Sequence, residues 1–237
     1  MAAKEPARAR ARRGRAQDIL SAFTRNVARR GYSGSNFSEI ANELEISKGT
    51  IFHFYGTKDK LFAKLHDGYM ERRLREAHDI LNRLDSPDQK LSGLLFALMQ
   101  YQDIDRDATL AFQREIAMVA TLDSLAHGRE LRNEYMSMFR SLIEEGTRNG
   151  SFRPLDVEVQ SLLIFGATQW TWTWFKPEGR LTALEAGSQL VQLCLGSLLS
   201  DRRRLDRLAD PEGKSASTAL AVLASHMDSN SPSTQAR

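Results

Sequence analysis

Residues 36–58, NFSEIANELEISKGTIFHFYGTK, constrain the fold more than any other stretch of the chain. The pattern is two short helices with a tight turn between them. Asn36 suits an N-cap, because its side-chain oxygen can accept from backbone N–H groups two or three residues on. Glu39, three residues later, brings the arrangement close to a capping box. Phe37, Ile40, Ala41 and Leu44 fall on one helical face. Ser47 then caps a second helix, from Lys48 to about Tyr55. Gly49 and Thr50 are small, so the leading surface of that helix can approach another surface closely. Ile51, with either Phe52 or Tyr55, packs back onto the first helix. In a helix-turn-helix of this kind the second helix enters the DNA major groove, N-terminal residues leading. The plainer alternative is an αα-hairpin that binds nothing. An arginine-rich segment upstream and the Thr57–Lys58–Asp59 start of the next helix favour DNA.

Total charge says little: 33 Lys and Arg face 30 Asp and Glu among 237 residues. Its distribution says more. Lys4, Arg8, Arg10, Arg12, Arg13 and Arg15 precede the first apolar stripe, and Glu5 is the only acid among them. Residues 1–14 are expected to be a disordered basic arm. Such an arm is either a solvated tail or a strand of cations that follows DNA phosphates or enters the minor groove. Ile19, Phe23 and Val27 then recur at helical spacing, and Gly31 ends that helix.

Residues 58–84 read as one long helix with Leu61, Phe62, Leu65, Tyr69, Leu74, Ala77 and Leu81 along it, broken at residues 85–88. Helical patterns follow at 91–102, 108–120 and 129–148, and no segment sustains strand alternation. The fold class is all-α. Three helices over 15–57 form a helix-turn-helix domain. A larger helical effector-binding and dimerisation domain covers 58–200, and a polar, flexible tail covers 201–237. Residues 157–175 are apolar on both faces: Val159, Leu163, Gly166, Trp170 and Trp174 on one, Leu162, Phe165, Gln169 and Trp172 on the other. Thr182 and Glu185 make a capping box for a helix that is apolar nearly all round, through Leu190, Val191, Leu193, Cys194, Leu195, Leu198 and Leu199. Two such helices suit a four-helix bundle across a two-fold axis, with Leu195 and Leu198 in the contact.

Catalytic signals are weak. His53, His66, His78, His127 and His226 show no metal-ligand spacing, and there is no GxSxG and no phosphate-cradling glycine loop. No enzyme activity, metal or cofactor is expected. Cys194 is the only cysteine, which excludes an intrachain disulfide and fits a reducing cytoplasm. No apolar run is long enough for a membrane span.

The order Phe23, Gly31–Tyr32, Ile40–Ala41, Ser47, Gly49–Thr50–Ile51 and Lys58 resembles the TetR-type repressors over roughly residues 15–65. Phe52 stands where that family usually has Tyr, Phe54–Tyr55 where it has His-Phe, and Asn36 replaces the usual Thr cap. The phosphate contact of the missing Tyr then falls to Tyr55 or His53. The resemblance implies a dimer on a palindromic operator in double-stranded DNA. The DNA-binding set is Arg13, Arg15, Asn36, Ser38, Ser47, Lys48, Gly49, Thr50, Phe52, His53, Tyr55 and Lys58. Lys48, Thr50 and His53 are the candidates for base edges.

A second resemblance lies in Gln169–Trp170–Thr171 and Trp174–Phe175–Lys176–Pro177–Glu178–Gly179–Arg180, similar to a junction in regulators that sense acyl-CoA thioesters. It implies release from DNA by a small apolar-tailed anion. The candidate ligand residues are Phe96, Met99, Phe112, Arg114, Tyr135, Met138, Phe139, Trp170, Trp174 and Lys176. The alternative is a helical DNA-binding architectural or interaction protein without an effector.

Overall fold

The structure is a computed structural model and describes residues 7–119 and 122–230. Its helices are α1 (Ala7–Gly34), α2 (Phe37–Glu43), α3 (Lys48–Tyr55), α4 (Lys58–Arg83), α5 (Pro87–Ile104), α6 (Arg106–Arg114) and α7 (Ile116–Val119). They continue with α8 (Ala126–Arg148), α9 (Val157–Gln169), α10 (Thr171–Trp174), α11 (Ala183–Leu198), α12 (Leu205–Ala209) and α13 (Lys214–Asn230). Among the described residues the one extended pairing is an isolated bridge between Phe152 and Leu199. The fold is all-α.

The chain forms two compact units. One takes the chain up to Met70 together with Asp107–Glu130, and the other takes Glu71–Arg106 with Leu131 onward. This division differs from a boundary at residue 57. The reason is burial: Leu61, Phe62 and Leu65 of α4 share a core with Ile19, Phe23 and Val27 of α1, Ile40 of α2, Ile51 of α3 and Ala111 of α6.

In the first unit α1 is broken at Gly31, whose φ of 77° suits glycine. A Cβ there would lie 2.8 Å from Glu115 Oε1. That carboxylate accepts the Tyr32 amide at 2.9 Å, and Arg114 donates to the Arg29 carbonyl at 3.2 Å and to that of Ala28. The end of α6 thus satisfies backbone groups that the end of α1 leaves open.

α1 begins at Ala7, so the disorder expected over residues 1–14 does not hold from Ala7 on. Ala and Arg both rank among the strongest helix formers, and that preference continues α1 outward. Residues 1–6 lie outside the described residues.

In the second unit α5 is the centre, packed by α11, α12 and α13. The flexible tail expected over 201–237 is instead helical through α12 and α13. Ala216, Ala219, Val222 and Leu223 bury one face of α13. The approach is close at Gly93 of α5, where an added Cβ would lie 2.7 Å from Leu84 and 3.6 Å from the Ser215 carbonyl. Three pairs fasten the segment: Arg204–Asp88 at 2.9 Å, Lys214–Asp85 at 2.6 Å and His226–Asp79 at 2.7 Å. Residues 231–237 lie outside the described residues. The buried Arg73 bridges Glu76 at 2.9 Å and Asp105, and stacks 3.7 Å above the Tyr101 ring.

The apolar segment 157–175 is two helices rather than one. Trp170 ends α9 and opens α10. Thr171 Oγ1 donates to the Thr168 carbonyl at 2.7 Å and accepts from Gln102 Nε2 at 2.7 Å, which ties the break to α5. The capping box of Thr182 and Glu185 is present at the start of α11.

Candidate nucleic-acid interface and effector residues

The reading unit is built by its caps. Asn36 Oδ1 accepts the Glu39 amide at 3.1 Å. The Glu39 carboxylate does not return to Asn36. It turns to α1, where Asn26 donates at 3.0 Å and Arg30 pairs with it; the Asn26 bond is the first cause of its lowered pKa. The turn after α2 is a Schellman motif. Glu45 sits at φ 52°, its amide bonds Asn42 O at 3.3 Å, and the Ile46 amide bonds Ala41 O at 2.9 Å. Ser47 Oγ then accepts the Thr50 amide at 3.0 Å and lies 3.0 Å from the Thr50 hydroxyl.

This sets the rotation of α3. Ile51 is fully buried, while Lys48, Gly49, Phe52 and His53 face solvent and Thr50 is half-buried. Phe52 is 54% exposed and touches Phe37 edge-on at 5.1 Å. Tyr55 is the exception among the candidates. Its hydroxyl donates to the Ala16 carbonyl at 2.8 Å, and burial raises its pKa. The Tyr55 half of the Tyr55-or-His53 expectation is therefore corrected, because its hydroxyl fastens α3 to α1; His53 is exposed.

Around this face the cations are graded. Arg13 and Arg15 are exposed on the first turns of α1, where Arg12 lies 5.9 Å over the Phe54 ring. Thr57 Oγ1 caps α4 by accepting the Lys60 amide at 3.2 Å. Lys58 Nζ lies 4.3 Å over the Tyr32 ring, whose hydroxyl bonds Asp59. Desolvation lowers the Lys58 pKa, with Asp59 and Glu115 opposing. Ser38 is half-buried in the first turn of α2.

The candidate ligand residues do not form one set. Phe112 and Arg114 belong to the first unit and the other eight to the second. Arg114 is exposed and donates to the carbonyls of α1, so its place in the candidate ligand set is corrected. Tyr135 and Phe139 of α8 meet Phe165 of α9 at 6.2 and 4.8 Å, with Met138 half-buried. Phe96 and Met99 lie under α11, where a Cβ on Gly187 would come 2.8 Å from the Phe96 ring. Trp170 is 63% and Trp174 53% exposed, so neither lines an interior in the protomer. They continue an outward apolar face with Val159, Leu162 and Leu163, because the break at Thr171 turns the other side of the segment inward. Lys176 is exposed beside them.

Three residues escaped the sequence reading. His66 of α4 is buried beside Phe62 and Phe112 at 4.4 and 5.0 Å. Its place between Phe62 and Tyr69 at helical spacing was the available signal. Arg132 and Arg140 flank Tyr135 and Phe139 on α8; both are half-buried, and among the described residues neither has an ion-pair partner. Burial lowers the Arg132 pKa. Their eight-residue spacing put them on one face.

Two family patterns match the chain: bacterial regulatory proteins of the tetR family over residues 19–65, and a tetracyclin repressor-like C-terminal domain over residues 84–198. The HTH-type transcriptional repressor KstR2 of Mycobacterium tuberculosis is 24% identical over 191 residues, spanning 80% of this chain and 94% of the relative. The solved structure of the ketosteroid transcriptional regulator KstR2 from that organism has a TM-score of 0.73 at 23% identity, over 79% of this chain and 96% of its own. That of AibR in complex with isovaleryl coenzyme A and operator DNA has a TM-score of 0.70 at 22% identity, over 76% of this chain and 97% of its own. With both matched domains in order, and the capped α2–α3 pair inside the first of them, the chain belongs to the TetR family of bacterial transcriptional regulators.

Proposed function

We propose that this protein is a homodimeric cytoplasmic repressor that leaves a palindromic operator when it binds an apolar-tailed anion, an acyl-CoA thioester being the favoured class. The observation that carries the DNA half is the solvent face of α3, which offers Lys48, Gly49, Phe52 and His53 on a helix with no acidic residue. Lys48 donates to guanine O6 or N7, the commonest specific contact in the major groove. Gly49 permits close approach, and His53 reaches a base edge or a phosphate. Lys58, Arg13 and Arg15 neutralise phosphates and make affinity salt-dependent.

The outward apolar face of Val159, Leu162, Leu163, Trp170 and Trp174, with Leu193 of α11, suits a second copy related by a two-fold axis. Tyr135, Phe139 and Phe165 supply apolar surface for an acyl group. Arg132 and Arg140 supply the cations that a thioester's phosphates need, in place of Arg114. The AibR relative, solved with isovaleryl coenzyme A and operator DNA, supports this class. The ligand must bind the released state better, since equal affinity for both states shifts nothing.

The test uses the full chain and DNA from its own upstream region. Isovaleryl-CoA, octanoyl-CoA and the matching free acids are titrated against the complex in a fluorescence anisotropy assay. Release by a thioester and not by its acid supports the reading. A complex that survives every thioester at saturation overturns the effector class, and absence of any sequence-preferring complex overturns the repressor.

A further inference from the structure

Phe52 is the large apolar side chain on the solvent face of α3. It lies one helical turn after Lys48, on the same stripe. Its ring is 54% exposed, yet it does not hang free, because Phe37 meets it edge-on at 5.1 Å. Phe37 is itself fixed. It is the first residue of α2, directly after the Asn36 cap, and it packs against the core of the first unit. The Ser47 cap and the fully buried Ile51 set the rotation of α3, so the Phe52 ring is aimed before any DNA arrives.

A phenylalanine ring carries no donor or acceptor for a phosphate or for a base edge. What the major groove offers such a ring is the thymine C5-methyl, an apolar group among hydrogen-bonding edges. We propose that Phe52, propped by Phe37, is a specificity residue that packs on the C5-methyl of one thymine in each operator half-site.

This inference rests on the reading of α3 as the helix that enters the groove. Lys48 and Phe52 then divide the stripe between them: Lys48 selects guanine by donating, and Phe52 selects thymine by burying its methyl. One helical turn advances about 5.4 Å and one base step about 3.4 Å, so the thymine is expected about one or two base pairs from the base that Lys48 contacts. Because Phe37 already restricts the ring, little rotamer freedom is lost when DNA covers it.

The test removes the methyl and keeps the base-pairing edges. DNA from the chain's own upstream region is copied once with dTTP and once with dUTP, and a shuffled fragment of equal length reports non-specific binding. The full chain is titrated against each by fluorescence anisotropy. Burying one methyl is worth about fourfold in affinity, so a dimer on two half-sites should prefer the thymine form by about fifteenfold. Phe52→Ala keeps α3, since alanine is the stronger helix former, and should bind the two forms with nearly equal affinity. Phe52→Leu should retain part of the preference. Uracil also alters duplex stiffness, so the ratio of the two affinities is compared between parent and variants. Synthetic duplexes with a single uracil should concentrate the loss at one thymine per half-site. A parent that prefers its upstream region over the shuffled fragment, yet binds both forms equally, overturns the Phe52 assignment and leaves α3 in the groove. A thymine preference that survives in full in Phe52→Ala also overturns it, giving the methyl to another residue. A parent with no preference for the upstream region overturns the repressor reading, and the role of Phe52 with it.

Discussion

Glu45 shows how a single residue sets the reading geometry. The Schellman turn needs a left-handed residue after Leu44, and this chain supplies glutamate at φ 52° where glycine pays no Cβ penalty. Glu45→Gly should therefore stabilise the fold by on the order of 0.5 kcal/mol, once the greater chain entropy of glycine in the unfolded state is deducted. Urea unfolding measures it, and a loss of stability would show that the Glu45 side chain has a contact worth more than the strain. His66 gives a second prediction at this scale. Its folded pKa of about 3 lies below the ordinary 6.5, so the unfolded state takes up the proton first as pH falls. The contribution of neutral His66 is present in full above about pH 6.5 and is lost progressively down to about pH 3, at about 1.4 kcal/mol per pH unit inside the window. Comparing parent with His66→Phe at pH 5 and pH 7 isolates this from other acid-sensitive groups. The stability difference should move in favour of the variant at pH 5; an equal difference at both values would mean that folding does not shift the His66 pKa.

At the scale of the element, α1, α3 and α13 each carry a separable task. Lys48→Ala on α3 should alter sequence preference, by about 1–3 kcal/mol where the contact is bidentate. Lys58→Ala should weaken binding to all sequences alike and reduce the salt slope. Binding curves at several salt concentrations separate the two, and parent-like behaviour in both would remove α3 from the groove. The outer turns of α1 bring exposed Arg8, Arg10, Arg12 and Arg13. Deleting residues 2–13 should lower affinity most at low salt and leave dimerisation unchanged. The α13 helix is a packed part of the second unit, since Val222 is fully buried. Val222→Asp should cost at least about 3 kcal/mol, because an unpaired charge enters an apolar contact. A thermal melt unchanged by that substitution would mean that α13 detaches freely.

For the whole molecule, assembly depends on which leucines of α11 face outward. Leu195 and Leu198 are fully buried within the protomer, whereas Leu193 is 67% exposed. The expectation that Leu195 and Leu198 form the dimer contact is thereby corrected: a charge at either should unfold the chain. Leu163→Glu and Leu193→Glu should instead give folded monomers with weak affinity for a palindrome, since operator symmetry mirrors the two-fold axis of the protein. Sedimentation together with circular dichroism distinguishes the outcomes, and a stable dimer from both variants would place the interface elsewhere.

The sequence by itself determined whatever is local. The caps at Asn36, Ser47 and Thr182 lie three residues from the amides they serve, so spacing alone revealed them. The extent of α4 was legible because its intermittent apolar stripe ends at a turn of Asp, Ser and Pro. Tertiary structure decided what each stripe meets. Tyr55 looked outward by position in a motif, yet its hydroxyl bonds a carbonyl 39 residues away. Trp170 and Trp174, on the face with Val159 and Leu163, read as ligand residues. Only the packing of Phe165 against α8 and the break at Thr171 turned it outward. Residues 219–226 of α13 read only as a weak helix in a flexible tail, because small alanines carry a weak hydrophobic signal; their value lies in the close packing against α5 near Gly93. Periodicity reports that an apolar face exists, while the free energy of burying it depends on a partner surface remote in sequence.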